Sequence, residues 1–395
     1  MRIAFVAGFA WEPKGTVRAR AFPLGRALVR AGHHVRIFVI PYDNLAHSGV
    51  ETVKNGVELV NIRIGAPGPS WLGALRNLWS QLKRFDPDVI HVYKPKGFAG
   101  LAGSLLVWNG YKNWVLDCDD WEGWGGWNDV LDRPYLFKQW IDWQERWLMR
   151  KAPVVTVASR ILENRSRHIR SGDEPVLYVP NCASDAVTDL SPETSPDWQT
   201  TPAEKDIVSV FYAGHYEPGD DLEFVAEVAL SLSQNKNIRF DFVGDGPELA
   251  WFRKRLATTR AAFWGRQSLA RYWALLNAAD IAIFPYPDHA IYRSKCSARV
   301  IDYMQAGKPI VTTALGQNEE YLENEKSALL IAPGQVAAFA SAIKRLVDSP
   351  ATRSAFGKAA RERLADHFNW EMNALPSMLR AYSYVCCPGQ EHGLD

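Results

Sequence analysis

The 395-residue chain is predicted to be an α/β protein made of two doubly wound, parallel-sheet halves. Three observations carry that expectation. Short β-branched runs alternate with helix-period segments twice over, first to about residue 185 and again from Ile207 to about Asp348. Between them Leu190–Asp206 is rich in Pro, Ser, Thr and acid without an apolar period, and reads as a linker over 186–206. The length suits two ordinary domains, and 47% hydrophobic against 23% charged residues suits soluble, globular packing.

Taken in order, Ile3–Ala7 is a strand and Ala19–Arg30 an amphipathic helix. Val35–Ile40 and Val57–Ile64 are strands, followed by a helix from Trp71. That helix is expected to face the core, with a membrane-surface contact beside Arg76, Lys83 and Arg84 as the alternative. Strands Val89–Tyr93 and Trp114–Asp117, helices over Pro134–Arg150 and strand Val154–Val157 complete the first half. Trp140, Trp143 and Trp147 stand at helical spacing and are assigned to the core. The second half has strands at Ile207–Tyr212, Ile238–Val243, Ala261–Trp264, Ile281–Phe284, Ile310–Thr312 and Ala328–Ile331. Val336–Val347 repeats apolar residues at i, i+3 and i+4, and a last helix runs through Tyr384.

Composition removes several classes. A net charge of +1 without a basic run gives no reason to expect nucleic acid as a partner. Met1–Ala7 passes directly into a strand, unlike a signal peptide, and no stretch nears the roughly 20 apolar residues of a spanning helix, so a cytoplasmic location is expected. Five scattered cysteines lack metal spacing and suit a reducing compartment. The first loop, Gly8–Gly15, has no G-x-G-x-x-G fingerprint, which argues against a nicotinamide enzyme.

The chemistry concentrates in Ser294–Thr313. A strand ended by Pro285 leads into a polar loop, then a helix that Ser297 can cap and that Gly307 and Pro309 stop. Lys295 and Arg299 stand where a helix N-terminus favours an anion, and Asp302 follows one turn later. A second polar run, Asp117-Cys-Asp-Asp-Trp-Glu-Gly-Trp-Gly-Gly-Trp127, ends a strand with four acids and three tryptophans. Acids there suit hydroxyl recognition and general-base help, and aromatic faces suit sugar rings.

Ser297-Ala-Arg-Val-Ile-Asp-Tyr-Met-Gln-Ala-Gly-Lys-Pro-Ile-Val resembles the nucleotide-sugar segment of retaining glycosyltransferases of family four ("group 1"). Val179-Pro-Asn181, Phe242-Val-Gly-Asp-Gly-Pro247, Phe263-Trp-Gly-Arg266, Arg30-Ala-Gly-His-His-Val35 and Phe368-Asn-Trp-Glu371 are similar to further segments of it. The resemblance implies the GT-B fold, two Rossmann-like domains facing a central cleft. The boundaries would be 1–185 on the acceptor side, 207–368 for the nucleotide sugar, and 369–395 returning to the first domain. It implies a sugar moved from a nucleotide-diphosphate donor to a hydroxyl acceptor, saccharide or lipid-linked, with retention, no metal and no separate cofactor.

Carried over by residue, the donor would contact Gly15, His215, Phe263, Gly265, Arg266, Ser294, Ser297 and Asp302, the last through the ribose. Lys295 and Arg299 would stabilise the leaving diphosphate, and Asp119 would serve the acceptor as a catalytic group. Arg18, Lys94, Asp120, Trp121 and Glu122 would bind the acceptor. For Arg18 and Arg20 a solvated helix face stands as an equal reading, and for Lys94 and Lys96 a solvated loop. Two departures bear on activity. His215 and Pro218 stand where the family carries Arg and Lys, and Ser294 stands where it carries the first of two acids. A non-catalytic sugar-nucleotide-binding partner or an epimerase of the same fold are the alternatives these departures raise.

Overall fold

The computed structural model describes residues 1–11, 15–65, 71–183, 207–217 and 220–387. The expected linker at 186–206 and Pro218 lie outside the described residues. The chain divides into two compact units. One holds Met1–Asn181, Ser294–Cys296 and the described part of Asn369–Asp395, and the other Cys182–Arg293 and Ser297–Phe368.

The first unit carries an eight-stranded sheet. Its strands are β1 (Arg2–Ala7), β2 (His34–Val39), β3 (Glu51–Lys54), β4 (Val57–Asn61), β5 (Val89–Tyr93), β6 (Trp114–Cys118), β7 (Val154–Val157) and β8 (Val176–Tyr178). Their order is β3-β4-β2-β1-β5-β6-β7-β8. β5, β6 and β7 are buried throughout, as strands covered on both faces must be. The expectation of a parallel sheet gives way at one edge, where β3 pairs antiparallel with β4. Asn55 (φ 47°) and Gly56 (φ 78°) join them in a two-residue hairpin, for which Asn-Gly is a strong local signal.

Around this sheet lie α1 (Phe22–Arg30), α2 (Trp71–Phe85), α3 (Gly97–Trp108), α4 (Trp127–Val130), α5 (Tyr135–Lys151) and α6 (Arg160–Arg170). α2 buries Ala74, Leu75, Leu78, Leu82 and Phe85, the core-facing role expected of it. α5 departs from expectation. Its buried stripe is Ile141, Gln144, Glu145, Leu148 and Met149; Trp147 is half-buried against the core as expected, whereas Trp140 and Trp143 lie outside it. Both stripes have helical spacing, and periodicity alone does not say which one faces inward.

The second unit is a six-stranded, all-parallel sheet of order β11-β10-β9-β12-β13-β14. The strands are β9 (Val208–Gly214), β10 (Ile238–Gly244), β11 (Ala261–Gly265), β12 (Ile281–Phe284), β13 (Ile310–Thr313) and β14 (Ala328–Ile331). Its helices begin with α7 (Leu222–Ser231), α8 (Leu249–Arg255), α9 (Leu269–Ala278), α10 (Ala290–Ser294) and α11 (Ala298–Gln305). Gly244, at φ 129°, ends β10 where a side chain would collide with the Gly214 carbonyl. The two loops after β9 and β10 are thereby packed backbone to backbone.

After Phe368 the chain adds its last helix, Leu375–Cys386, to the first unit, against β6 and β7. Asn369 starts this segment, its side chain accepting from the N–H groups of Glu371 (2.8 Å) and Met372 (3.1 Å). Asn369→Ala is expected to destabilise the fold by about 1 kcal/mol, measured by denaturant unfolding.

Candidate functional site

In the first unit the polar groups gather at the carboxyl ends of β5 and β6, where ligands bind in doubly wound sheets. Lys94 follows β5 with φ 71°, a strained backbone for a side-chain-bearing residue. Its ammonium lies 3.2 Å from Asp119 Oδ1, 2.5 Å from Asp120 Oδ2 and 3.5 Å from Glu122 Oε1. Lys96 pairs with Glu122 Oε2. Lys94 is therefore buried among acids and does not solvate a loop. Glu122 has no exposed surface, so the expectation that it binds acceptor is corrected: it is a buried counter-ion for the two lysines.

The neighbouring carboxyls are tuned apart. Burial, opposed by Lys94 and reinforced by Asp120 and Asp117, pushes Asp119 up to about 7. Burial also acts on Asp120, but its short contact with Lys94 outweighs it and holds that carboxyl below its usual range. The pair thus presents one carboxyl poised to take a proton near neutrality and one that stays ionised.

What fixes this loop was not legible in the sequence. Glu145 accepts from the backbone N–H groups of Glu122 and Gly123, each at 3.0 Å, and from Arg165 at 2.6 Å. Asp142 accepts from the Trp124 N–H at 3.0 Å. Trp121 packs against the core on one side, with Arg165 4.5 Å from its ring centre, and stays half-buried. Side chains at Gly125 or Gly126 would strike that ring.

Below the loop lies a buried network. Arg20 donates from Nε to Asp117 Oδ1 and from a terminal nitrogen to Oδ2, both at 2.7 Å. Thr156 donates to the same Oδ2 at 2.7 Å, and His91 Nδ1 shares a 3.0 Å hydrogen bond with the Tyr382 hydroxyl. Burial would raise the Asp117 carboxyl, but Arg20 and His91 hold it far below its usual range. Arg20 is thus not on a solvated helix face, whereas Arg18, on the same π-helical turn Val17–Ala21, is half-exposed. Gly15, exposed before that turn, has open space around it.

Arg20 also donates to Asn181 Oδ1 at 3.0 Å, and Asn181 Nδ2 donates to the Cys296 carbonyl at 3.0 Å. Ser159 donates to the Ser294 carbonyl at 2.6 Å. These bonds tie Ser294–Cys296 to the first unit. The expectation that Ser294 and Lys295 belong with the donor half is modified accordingly. Lys295 stands 5.7 Å from the Trp127 ring centre, and its charge helps keep Asp120 ionised.

In the second unit Tyr272, on α9, donates to Asp302 Oδ2 at 3.0 Å. The Arg299 guanidinium lies 5.4 Å from the Tyr272 ring centre. Arg299, Asp302 and Tyr272 are thus brought together, one turn apart on α11 and across from α9. Ser297 holds the cap position of α11 but its buried side chain makes no capping bond, contrary to expectation. His215 is exposed just after β9. Phe263 stacks on Phe242 with ring centres 5.2 Å apart, and its carbonyl accepts from Arg253 at 3.2 Å. Trp264 donates to Asp241 at 3.0 Å. A side chain at Gly265 (φ 66°) would meet open space and Arg266 is exposed, while the Trp264 carbonyl accepts from Gln267.

Residues 15–182 match a family model described as a glycosyl transferase 4-like domain, and residues 207–349 match one described as glycosyl transferases group 1. A 2-deoxystreptamine glucosyltransferase from Streptomyces kanamyceticus is 28% identical over 243 residues, covering 57% of this chain and 59% of that protein. A glycogen synthase from Mycobacterium tuberculosis is 30% identical over 134 residues, covering 32% and 31%. The chain thus spans less than two thirds of the length of these curated relatives. Among solved structures, Anabaena HepE in complex with UDP-glucose has a TM-score of 0.72 at 15% identity, covering 97% of this chain and 100% of that one. The sucrose-phosphate synthase of Thermosynechococcus elongatus has a TM-score of 0.71 at 20% identity, covering 96% and 98%.

Proposed function

This chain belongs to the group 1 glycosyltransferases and has their GT-B fold, and from that premise we propose that it moves a sugar from a nucleotide-diphosphate donor to a hydroxyl acceptor with retained anomeric configuration. The observation that carries the reading is the carboxyl of Asp119, poised near neutrality beside Lys94 at the end of β6. Such a group can take a hydrogen bond, or a proton, from an acceptor hydroxyl at physiological pH.

On the donor side, Asp302 holds the ribose and Arg299 the diphosphate, while the backbone around Phe263, Gly265 and Arg266 receives the base. Tyr272 supports this assignment by holding the Asp302 carboxylate in place through its Oδ2. His215 and Ser297 face the phosphates in this scheme, and Gly15 and Arg18 the sugar and acceptor. Lys295 acts from the acceptor side, where it supports the ionised Asp120. Bond breaking develops charge on the diphosphate, which fixed cations and N–H dipoles stabilise, and the acceptor hydroxyl attacks on the same face as its proton passes to Asp119. UDP-glucose is the first donor to test because a HepE structure holds it, and the relatives' names suggest aminocyclitol and glucan acceptors.

Calorimetry tests the donor half. Asp302→Ala is expected to weaken binding of the preferred nucleotide sugar about tenfold while the melting temperature holds, the scale of one hydrogen bond to a charged group. Undiminished affinity removes Asp302 from the donor site. Donor binding without turnover would instead favour a non-catalytic partner.

A further inference from the structure

α5 presents a second apolar stripe on the side opposite its core contacts. Leu136, Trp140, Trp143 and Trp147 recur at i, i+4, i+7 and i+11, whereas the buried residues fall on the other face, and Trp147 at the border of the stripe also packs partly against the core. Leu136 is 81% and Trp143 50% exposed, and Trp108, at the end of α3, is 67% exposed. The Trp143 and Trp147 rings stack at 5.4 Å and 15°, and Trp108 lies 6.2 Å from Trp147. A surface helix ordinarily gives such a face to charged residues. Contiguous apolar surface of this kind marks an interaction site.

The edges of the stripe indicate what covers it. Arg150 and Lys151 are exposed at its C-terminal end, and Lys112 is exposed in the turn after α3. The acids of α5 are engaged elsewhere: Glu145 is buried on Arg165, and Asp142 holds Arg146 and the Trp124 N–H. The exposed charge on α5 itself is therefore cationic, with Asp132 the exposed acid just before its N-terminal end. Two copies packed through this face would bring those cations together, whereas an anionic surface complements them. Tryptophan favours the boundary between water and acyl chains, and an aliphatic side chain such as Leu136 gains by passing below it. We propose that the α5 stripe, with Trp108, is the surface by which this chain docks on an anionic lipid bilayer, the helix lying in the plane of the interface. The 17-residue helix offers a contact about 25 Å long. Docking here is independent of α2, whose apolar stripe is spent in the core.

The test is co-sedimentation of the full chain with vesicles of phosphatidylcholine alone or mixed with phosphatidylglycerol. Binding to the mixed vesicles is expected, weakening as salt is raised. The double variant Leu136→Gln/Trp143→Gln should lower it about tenfold, because both side chains are exposed and their apolar transfer is what is lost. Arg150→Glu/Lys151→Glu should reduce the preference for anionic lipid. Circular dichroism and melting of each variant separate a lost surface from a lost fold. Failure to bind, equal binding to both vesicle types, or unchanged binding by the folded Leu136/Trp143 variant would each overturn the proposal. So would a concentration-dependent dimer abolished by that variant, which would make the occupant a second copy.

Discussion

Asp119→Asn is expected to lower kcat by about 10²–10⁴-fold with a smaller change in KM, the range for loss of a general base. The variant keeps the shape of the side chain and removes its ability to take a proton. In the native chain the ascending limb of activity should centre near pH 7, where burial and the adjacent acids have pushed this carboxyl. In the variant that limb should disappear. Stability should move the other way. The Asp119 carboxyl is raised from 3.8 to about 7 on folding, so the folded state binds more protons between those values. Its contribution is intact below the unfolded value and lost as pH rises through about 7. Asp119→Asn should therefore melt higher than the native chain at pH 8, the gap narrowing as pH falls from about 7 toward the unfolded value of 3.8. Higher stability with lower turnover would identify a residue held in place for chemistry.

Arg20→Ala should be the most destabilising single change in the first unit, by about 3–5 kcal/mol. The guanidinium is 2% exposed and Asp117 not exposed at all, so removing one partner leaves a charge buried with only Thr156 and His91 beside it. At the usual slope for domains of this size, melting should fall on the order of 10 °C. Arg20→Lys keeps the charge but loses the two-pronged geometry and should recover part of the loss. The sign with pH follows from the depressed Asp117 carboxyl. Its stabilisation is present above the unfolded value of 3.8 and is lost as pH falls below it. The gap between native chain and variant should therefore shrink in strong acid. Because Asn181 connects Arg20 to Cys296, the variant should also loosen the Lys295 segment, readable by hydrogen exchange at Cys296.

The alternation that gave two parallel-sheet halves was legible because covered parallel strands are apolar on both faces, and β5, β7, β12 and β14 begin and end at the expected residues. The β3–β4 hairpin was missed although Asn55-Gly56 announces it, because its first strand is exposed along its whole length and lacks an apolar pattern. The site was legible as residue types and not as partnerships. Asp119 and Asp120 stood out at a strand end. That Lys94 divides them into an ionised and a protonatable carboxyl depends on contacts 25 and 26 residues apart. Arg20 and Asp117 lie 97 positions apart, and local spacing reads each alone as exposed. Trp140 and Trp143 show the converse error. Helical spacing was correctly seen, but the inward face includes two polar residues, Glu145, whose burial depends on Arg165 and the Glu122–Gly123 backbone, and Gln144, packed against Gly100.

The most direct test of sugar transfer is release of nucleoside diphosphate from a panel of UDP-, GDP- and ADP-sugars, with and without saccharide acceptors. One preferred donor should give acceptor-dependent release that Asp119→Asn abolishes while the donor still binds. Release from no donor despite tight binding, or conversion of a donor at the same rate without acceptor, would contradict it.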